Sequence, residues 1–471
     1  MKRLVVLACA AAFLFGSLGS AQAIEVKASG TWEFGYGWAD NVTFKDARQG
    51  EHNDAFSAQQ RIRTQFNFIA SETLEAVLEL EVGTLLWGNR DTDSDDYGAG
   101  LDADQAYATI RRAHLDWSPA DKMKIRMGVQ GVALPSATFG NPILDTDVAG
   151  VAASYQFSEA VTLTGFWLRP FDRAYDSSGQ TDGKNVNDEM DLFGFVLPIN
   201  SDGFSLTPWA MYGRNGNQSD YWSYRNGDDY DADDYPFKGT SNMWWAGAAF
   251  ELNVLDPFSI KLDAMYGASH ASDDDAPEFS GFLVAGLFEY NTGSMWGNPG
   301  LIGWYASGDD EDDANDGEYG KSGRMPVLST DRAGFAPTAF GFAGSMGCMQ
   351  DGLISNSGVG TWGLGAQLDG MSFIDKLSHT IRFAYIRGTN DEDIVKNGTS
   401  GFYINMGDEV YMTKKDQAFE IDFVTSYEVH ENLTIFLEAN WIKLDLDDSV
   451  WGDDSDTTDA WKAQILFEYA F

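Results

Sequence analysis

Trp461-Lys462-Ala463-Gln464-Ile465-Leu466-Phe467-Glu468-Tyr469-Ala470-Phe471 ends the chain, and its alternation decides the fold class. Side chains of a strand point alternately to opposite faces. Trp461, Ala463, Ile465, Phe467, Tyr469 and Phe471 therefore share one face. Lys462, Gln464, Leu466, Glu468 and Ala470 share the other. A strand this long and apolar at an open sheet edge would template aggregation. Closure onto the first strand removes that edge.

The same period of two runs from Ile24 to Phe471. Val26, Ala28, Gly30, Trp32, Phe34, Tyr36 and Trp38 share a face, as do Phe419, Ile421, Phe423, Thr425, Tyr427 and Val429. A soluble sandwich alternates too, with its apolar face inward. Two features favour a membrane barrel instead. Many segments reach the ~9–11 residues that a tilted strand needs to cross a bilayer. The connections also alternate between short and long. Ser71-Glu72, Ser158-Glu159, Asn200 to Gly203 and His430-Glu431 are tight. Ala39 to Ala58, Gly88 to Asp104, Asp172 to Glu189, Asn215 to Thr240, Ser307 to Ser357 and Thr389 to Lys414 are long. The rhythm predicts an all-β, antiparallel transmembrane barrel of about 18 strands, with 16 the alternative. Short turns face the periplasm and long loops the exterior.

Lys2 and Arg3, the apolar run Leu4 to Phe15 and the Ala21-Gln22-Ala23 motif read as a secretory signal peptide over residues 1–23. Residues 24–471 then form one barrel domain. Of the two cysteines only Cys348 follows that cleavage site, so the exported part has no internal disulfide. Aromatic residues make up 14% of the chain and glycines number 50, which suits interfacial girdles and close-packed strands. The net charge is −41. Such a charge repels phosphate and excludes a general nucleic-acid binder. It points to acidic, wet external loops.

The stretch Arg112-Ala113-His114-Leu115-Asp116-Trp117, followed by Ser118 to Asp121 and by Lys124-Ile125-Arg126-Met127-Gly128-Val129-Gln130, resembles the signature of general Gram-negative porins. With its layout and terminal phenylalanine, the whole chain is most similar to the homotrimeric outer-membrane porins of sulfate-reducing bacteria. The chain is longer than the general pattern and has larger loops, above all Ser307 to Ser357. The resemblance implies a homotrimer in outer-membrane lipid and lipopolysaccharide. It also implies that Tyr469 and Phe471 carry the signal read by barrel-assembly machinery, and that the loop Gly131 to Asp147 folds into the lumen.

If Ile62, Thr64, Phe66 and Phe68 face outward, Arg61, Arg63, Gln65 and Asn67 face the lumen. The same parity turns Arg112, Lys124 and Arg126 inward and leaves Arg111 pointing out, into a subunit interface or beside a bulge that resets the register. Arg61, Arg63, Arg112, Lys124 and Arg126 would form a basic ladder. The porin resemblance places Asp145 and Asp147 of the inward loop opposite it, as a transverse field across the constriction. The bland alternative is that the arginines pair with Glu75, Glu79 and Glu81 on the neighbouring strand.

Other chemistry is weaker. Asp91, Asp93, Asp95 and Asp96, or the run Asp309 to Asp313, offer the oxygen ligands calcium prefers but lack an EF-hand pattern, and solvated acidic loops are the simpler reading. No other cofactor is expected. Gly358 to Gly363 matches G-x-G-x-x-G, yet no helix follows, and it reads as a strand. The five histidines show no metal spacing or serine partner, so an outer-membrane enzyme is the least supported class. A pore for passive diffusion of small hydrophilic solutes is the leading reading. A channel selective for sugars or small organic or inorganic anions is second. Lumenal aromatics would favour sugar; Phe166, Trp209 and Trp244 are the ambiguous positions.

Overall fold

The computed structural model describes residues 24–44, 55–89, 98–101, 106–172, 189–216, 240–271, 278–311, 321–328, 334–347, 351–396 and 410–471. The leader expected at 1–23, Asp91 to Asp96 and Cys348 lie outside them.

Eighteen long strands follow one another: β1 (Glu25–Asp40), β2 (Ala55–Ser71), β3 (Leu74–Trp87), β4 (Ala108–Ala120), β5 (Met123–Ala133), β6 (Asp145–Gln156), β7 (Thr162–Asp172), β8 (Glu189–Val196) and β9 (Phe204–Asn215). The second half holds β10 (Ser241–Leu252), β11 (Phe258–Ala271), β12 (Glu278–Tyr290), β13 (Asn298–Ala306), β14 (Thr361–Ile374), β15 (Leu377–Gly388), β16 (Gln417–His430), β17 (Leu433–Asp445) and β18 (Ala460–Ala470). Each pairs antiparallel with its chain neighbours. β1 closes on β18, with Phe34 opposite Phe467, and Gly30 and Phe471 exchange backbone hydrogen bonds of 3.0 and 3.1 Å. No free edge remains, as the terminal strand requires.

Outward positions are apolar and solvent-exposed in the isolated chain, for example Leu301 at 62% and Leu364 at 61%. That is the inverse of a sandwich and the expected lipid-facing surface of a barrel. Inward positions divide into two halves. Along β2–β6 the wall is charged and borders open space. Along β9–β18 it is packed under loop residues. Trp209, Met243, Trp245 and Trp304 point inward and are buried there.

Two loops do the filling, where one was expected. The first, between β5 and β6, has its tip bound to Asp263 on β11. Asp263 accepts hydrogen bonds from the Ser136 hydroxyl (2.6 Å) and from the Ala137 and Thr138 amides (2.8 and 2.9 Å). The second joins β13 to β14. The sequence reading placed Ser307 to Ser357 outside, but its body lies inside, with Phe335, Phe340, Phe342 and Ile354 fully buried. An apolar segment of this size would be costly in water and finds its burial in the lumen. The two loops meet: Ala336 N–H donates to Phe139 O (2.7 Å), and the Phe139 and Phe335 rings pack edge to face. Gly358 and Gly360, read above as strand, instead turn the chain back toward β14 with φ of 71° and 74°. A Cβ on Gly358 would sit 2.4 Å from the Phe335 ring, so the glycine is needed for space as well.

Candidate functional site

The charged wall is built by register. Thr31 opposite Arg63 and Glu33 opposite Arg61 bring β1 beside β2, while Glu81 stands opposite Arg63 on β3. Between β3 and β4 the pairing slips between Glu79 and Leu80, so Arg111 is an extra residue. This bulge turns Arg111 to the same face as Arg112, which settles the parity problem of the sequence.

All the sequence-nominated cations pair with acids on the wall itself. Arg61 binds Glu33 through Nη2 at 2.7 Å, and Arg63 Nε binds Glu81. Arg112 Nε donates to Asp147 Oδ1 at 2.6 Å, and its Nη1 lies 3.4 Å from Glu79. Arg111 bridges the same two acids. Arg126 grips Asp116 with two bonds of 2.7 and 2.8 Å, and Lys124 Nζ lies 2.8 Å from the same carboxylate. Glu75 accepts from the Asn67 amide. Asp145 and Asp147 open β6 rather than riding the loop across the lumen. Asp147 is thus a lateral partner of Arg111 and Arg112, not a charge facing them across a gap. Gly131 makes this reach possible: a Cβ there would stand 2.6 Å from Arg112 Nη2.

These groups border a cavity of about 1130 Å³. Arg61, Arg63, Arg111 and Arg112 supply four guanidinium groups, and Glu81, Asp145 and Asp147 three carboxylates. The acids hold Arg63 through Nε alone, and Arg61, Arg111 and Arg112 through Nε together with one terminal nitrogen. A guanidinium has five donors, so each keeps N–H groups for a guest.

The far side of the lumen is a polar latch that the sequence reading missed. Glu420 on β16 is fully buried and accepts from the Thr338 hydroxyl (2.7 Å) and the Phe340 and Gly341 amides (2.8 and 3.0 Å). Asp422 accepts from the Ala339 amide at 3.0 Å. Lys462 on β18 is buried, 3.1 Å from Glu438 and 5.0 Å from the Phe340 ring centre. The signal was present in the inward acids of β16, which have no cation opposite them on β15 or β17 except Arg382. Asp309 accepts from the hydroxyls of Ser322 and Tyr411 and is buried, so it is not a wet loop acid. Among the described residues, no group of three or more His, Cys, Asp or Glu is placed to hold a metal.

Two consequences are measurable. Asp263→Ala removes the acceptor for the tip of the first loop and leaves its amides unpaired. It is expected to destabilise that loop by roughly 2–4 kcal/mol, read as faster hydrogen exchange at Ala137 and Thr138 with β strands unchanged. In the second loop, burial pushes the Asp351 carboxyl up to about 6, against the pull of Lys462 and the Ser345 amide. An acid whose pKa rises on packing favours the packed loop below its ordinary value and loses that contribution as pH climbs to the packed one. The loss is about 3 kcal/mol between pH 4 and 7. The Ser345 amide, which donates to Asp351 at 3.1 Å, is expected to lose protection over that range once exchange rates are corrected for pH. Asp351→Asn should flatten the dependence.

With this geometry in view, known structures supply the comparison. The chain matches Pseudomonas aeruginosa OccK8 (OprE) with TM-score 0.52 and 13% identity, covering 95% of this chain and 98% of that one. Acinetobacter baumannii OccAB3 gives 0.53 and 13%, over 95% and 99%. Pseudomonas aeruginosa OpdK, solved with vanillate, gives 0.51 and 11%, over 95% and 98%. The chain is an outer-membrane β-barrel. No protein-family model and no curated protein matches it. At these identities the likeness is one of fold, porin-like in outline.

Proposed function

We propose that the protein is a substrate-selective outer-membrane channel for small organic anions, carboxylates first. The observation that carries this is the cavity along β2–β6, where four guanidinium groups are held laterally by wall acids. Such pairing fixes each arginine at the cost of little further entropy when a guest arrives, and leaves donors in the bidentate pattern that suits a carboxylate. The fold neighbours support a selective channel over a general diffusion pore, and one was solved with the aromatic carboxylate vanillate. Sugar is less favoured, because inward Trp209 is buried, Trp245 and Trp304 are covered by the second loop, and Trp244 faces outward. Solutes would pass without chemical change, so no catalytic role is assigned.

The test is single-channel recording in planar bilayers. Benzoate is expected to lower KCl current saturably, and Arg111→Ser with Arg112→Ser should remove the block. A current that benzoate does not affect would return the reading to general diffusion, which the near balance of charge on the wall favours. Assembly as a homotrimer rests on the sequence resemblance. Protein running as a monomer by mass in mild detergent would overturn it.

A further inference from the structure

On the outside of the barrel, the extracellular ends of β8–β11 carry a groove of about 500 Å³, nearly all apolar. Register explains its shape. Ala210 stands opposite Ala246, and Phe195 and Tyr266 flank this pair on β8 and β11. One row higher, Phe193, Tyr212 and Trp244 stand side by side. Two small residues thus form a floor between aromatic walls. Trp244 is 56% exposed although the Tyr212 ring lies 4.4 Å from its own. The next row up holds Arg214 between Asp191 and Asn242. Asp191 is committed elsewhere: Arg169 binds it with two bonds of 2.9 and 2.8 Å. Asn242 is committed to the Tyr212 hydroxyl at 2.6 Å. Arg214 is exposed and forms no hydrogen bond or salt bridge with any described residue.

We propose that this groove, with Arg214 at its head, is a lipid site that takes one lipopolysaccharide molecule of the outer leaflet. Two features of this surface choose the occupant. The groove is continuous with the lipid-facing surface of the barrel, so an acyl chain is what meets it. A guanidinium with no hydrogen bond or salt bridge to a described residue, and only a longer-range attraction to Asp191, stands four residues above the alanine floor, about 14 Å along the strand. This places a cation at the headgroup level and an apolar slot below it, the layout of a phosphorylated, acylated glycolipid. Phosphate takes arginine N–H donors in pairs, and the aromatic walls pack against methylene chains. The position at the extracellular ends of the strands selects the leaflet and hence lipopolysaccharide over an inner-leaflet phospholipid.

Native mass spectrometry of the full-length protein in detergent, titrated with purified lipid A, tests this. Wild type is expected to bind one lipid A about tenfold more tightly than Arg214→Ala or than Ala246→Phe, which fills the floor. Leu437→Phe, on the lipid-facing side of β17, should bind as wild type. Equal binding by all four proteins overturns the proposal. Equal affinity of wild type for phosphatidylglycerol overturns the assignment to lipopolysaccharide. An oligomer that Ala246→Phe disperses would show that a second copy covers the groove, and would overturn it as well.

Discussion

Removing the second inward loop is expected to raise single-channel conductance several-fold. Ser307 and Gly360 already touch, with Gly360 N–H donating to Ser307 O at 3.3 Å, so excision of 309–358 needs only a tight turn to rejoin β13 and β14. What remains is a barrel whose β9–β18 half is open. The excision also bares Trp245 and Trp304, which would weaken folding through wet apolar surface. A milder variant asks the same question without that cost. Glu420→Ala removes the acceptor of one hydroxyl and two amides of the loop and leaves them buried without partners. Such a loss is worth roughly 3–5 kcal/mol. The loop should then leave the wall part of the time, and the current should step between two levels. Unchanged conductance in both variants would mean that ions pass by a route the loop does not narrow.

The barrel was legible because every strand repeats one binary choice, in or out, and eighteen repeats leave little room for error. Arg111 stood out, since strict parity turned its charge outward, which suited either a subunit interface or a bulge, and the register slip beside Glu79 is that bulge. The loop interior was not legible. Its acidic beginning at Asp309 and Asp310 suggested a wet segment, yet Met325, Val327, Phe335, Phe340, Phe342 and Ile354 have no period from which a facing surface could be read. Their burial depends on partners far along the chain, such as Glu420 and Lys462. For the same reason Asp145 and Asp147 were placed across the lumen from the arginines. Sequence separation could not show that β6 begins at Asp145 and lies two strands from Arg112. The inward acids Glu420 and Asp422 of β16, with only Arg382 opposite them on the neighbouring strands, were the available hint of an inward guest. Trp244 and Trp245 show the residual ambiguity, because adjacent tryptophans fit either face until the register is known.

Charge selectivity follows from the same pairing. The chain carries −41 overall, and its long loops are acidic. Loop charge acts at the mouth, where screening limits it to a Debye length of ~8 Å at physiological salt. The narrow part acts at shorter range and in poorer solvent, so a net charge there would override the mouth. Yet Arg61, Arg63, Arg111 and Arg112 face Glu33, Glu81, Glu79 and Asp147 at contact distance, and Asp145 adds a further carboxylate. The wall is close to balanced, and small ions sense the mouth. Reversal potentials in a KCl gradient are therefore expected to show weak to moderate cation preference that fades as salt rises. Replacing Arg111 and Arg112 by serine takes away two positive charges and leaves Glu79, Asp145 and Asp147 without a counter-ion. Cation preference should then rise severalfold and persist to higher salt, because these acids sit on the lumen wall and not in bulk water. Arg126→Ser is the graded case, since Asp116 keeps Lys124 at 2.8 Å, and its effect should be smaller. A clear anion preference of the wild type at low salt would show that the free edges of the guanidinium groups outweigh their wall partners.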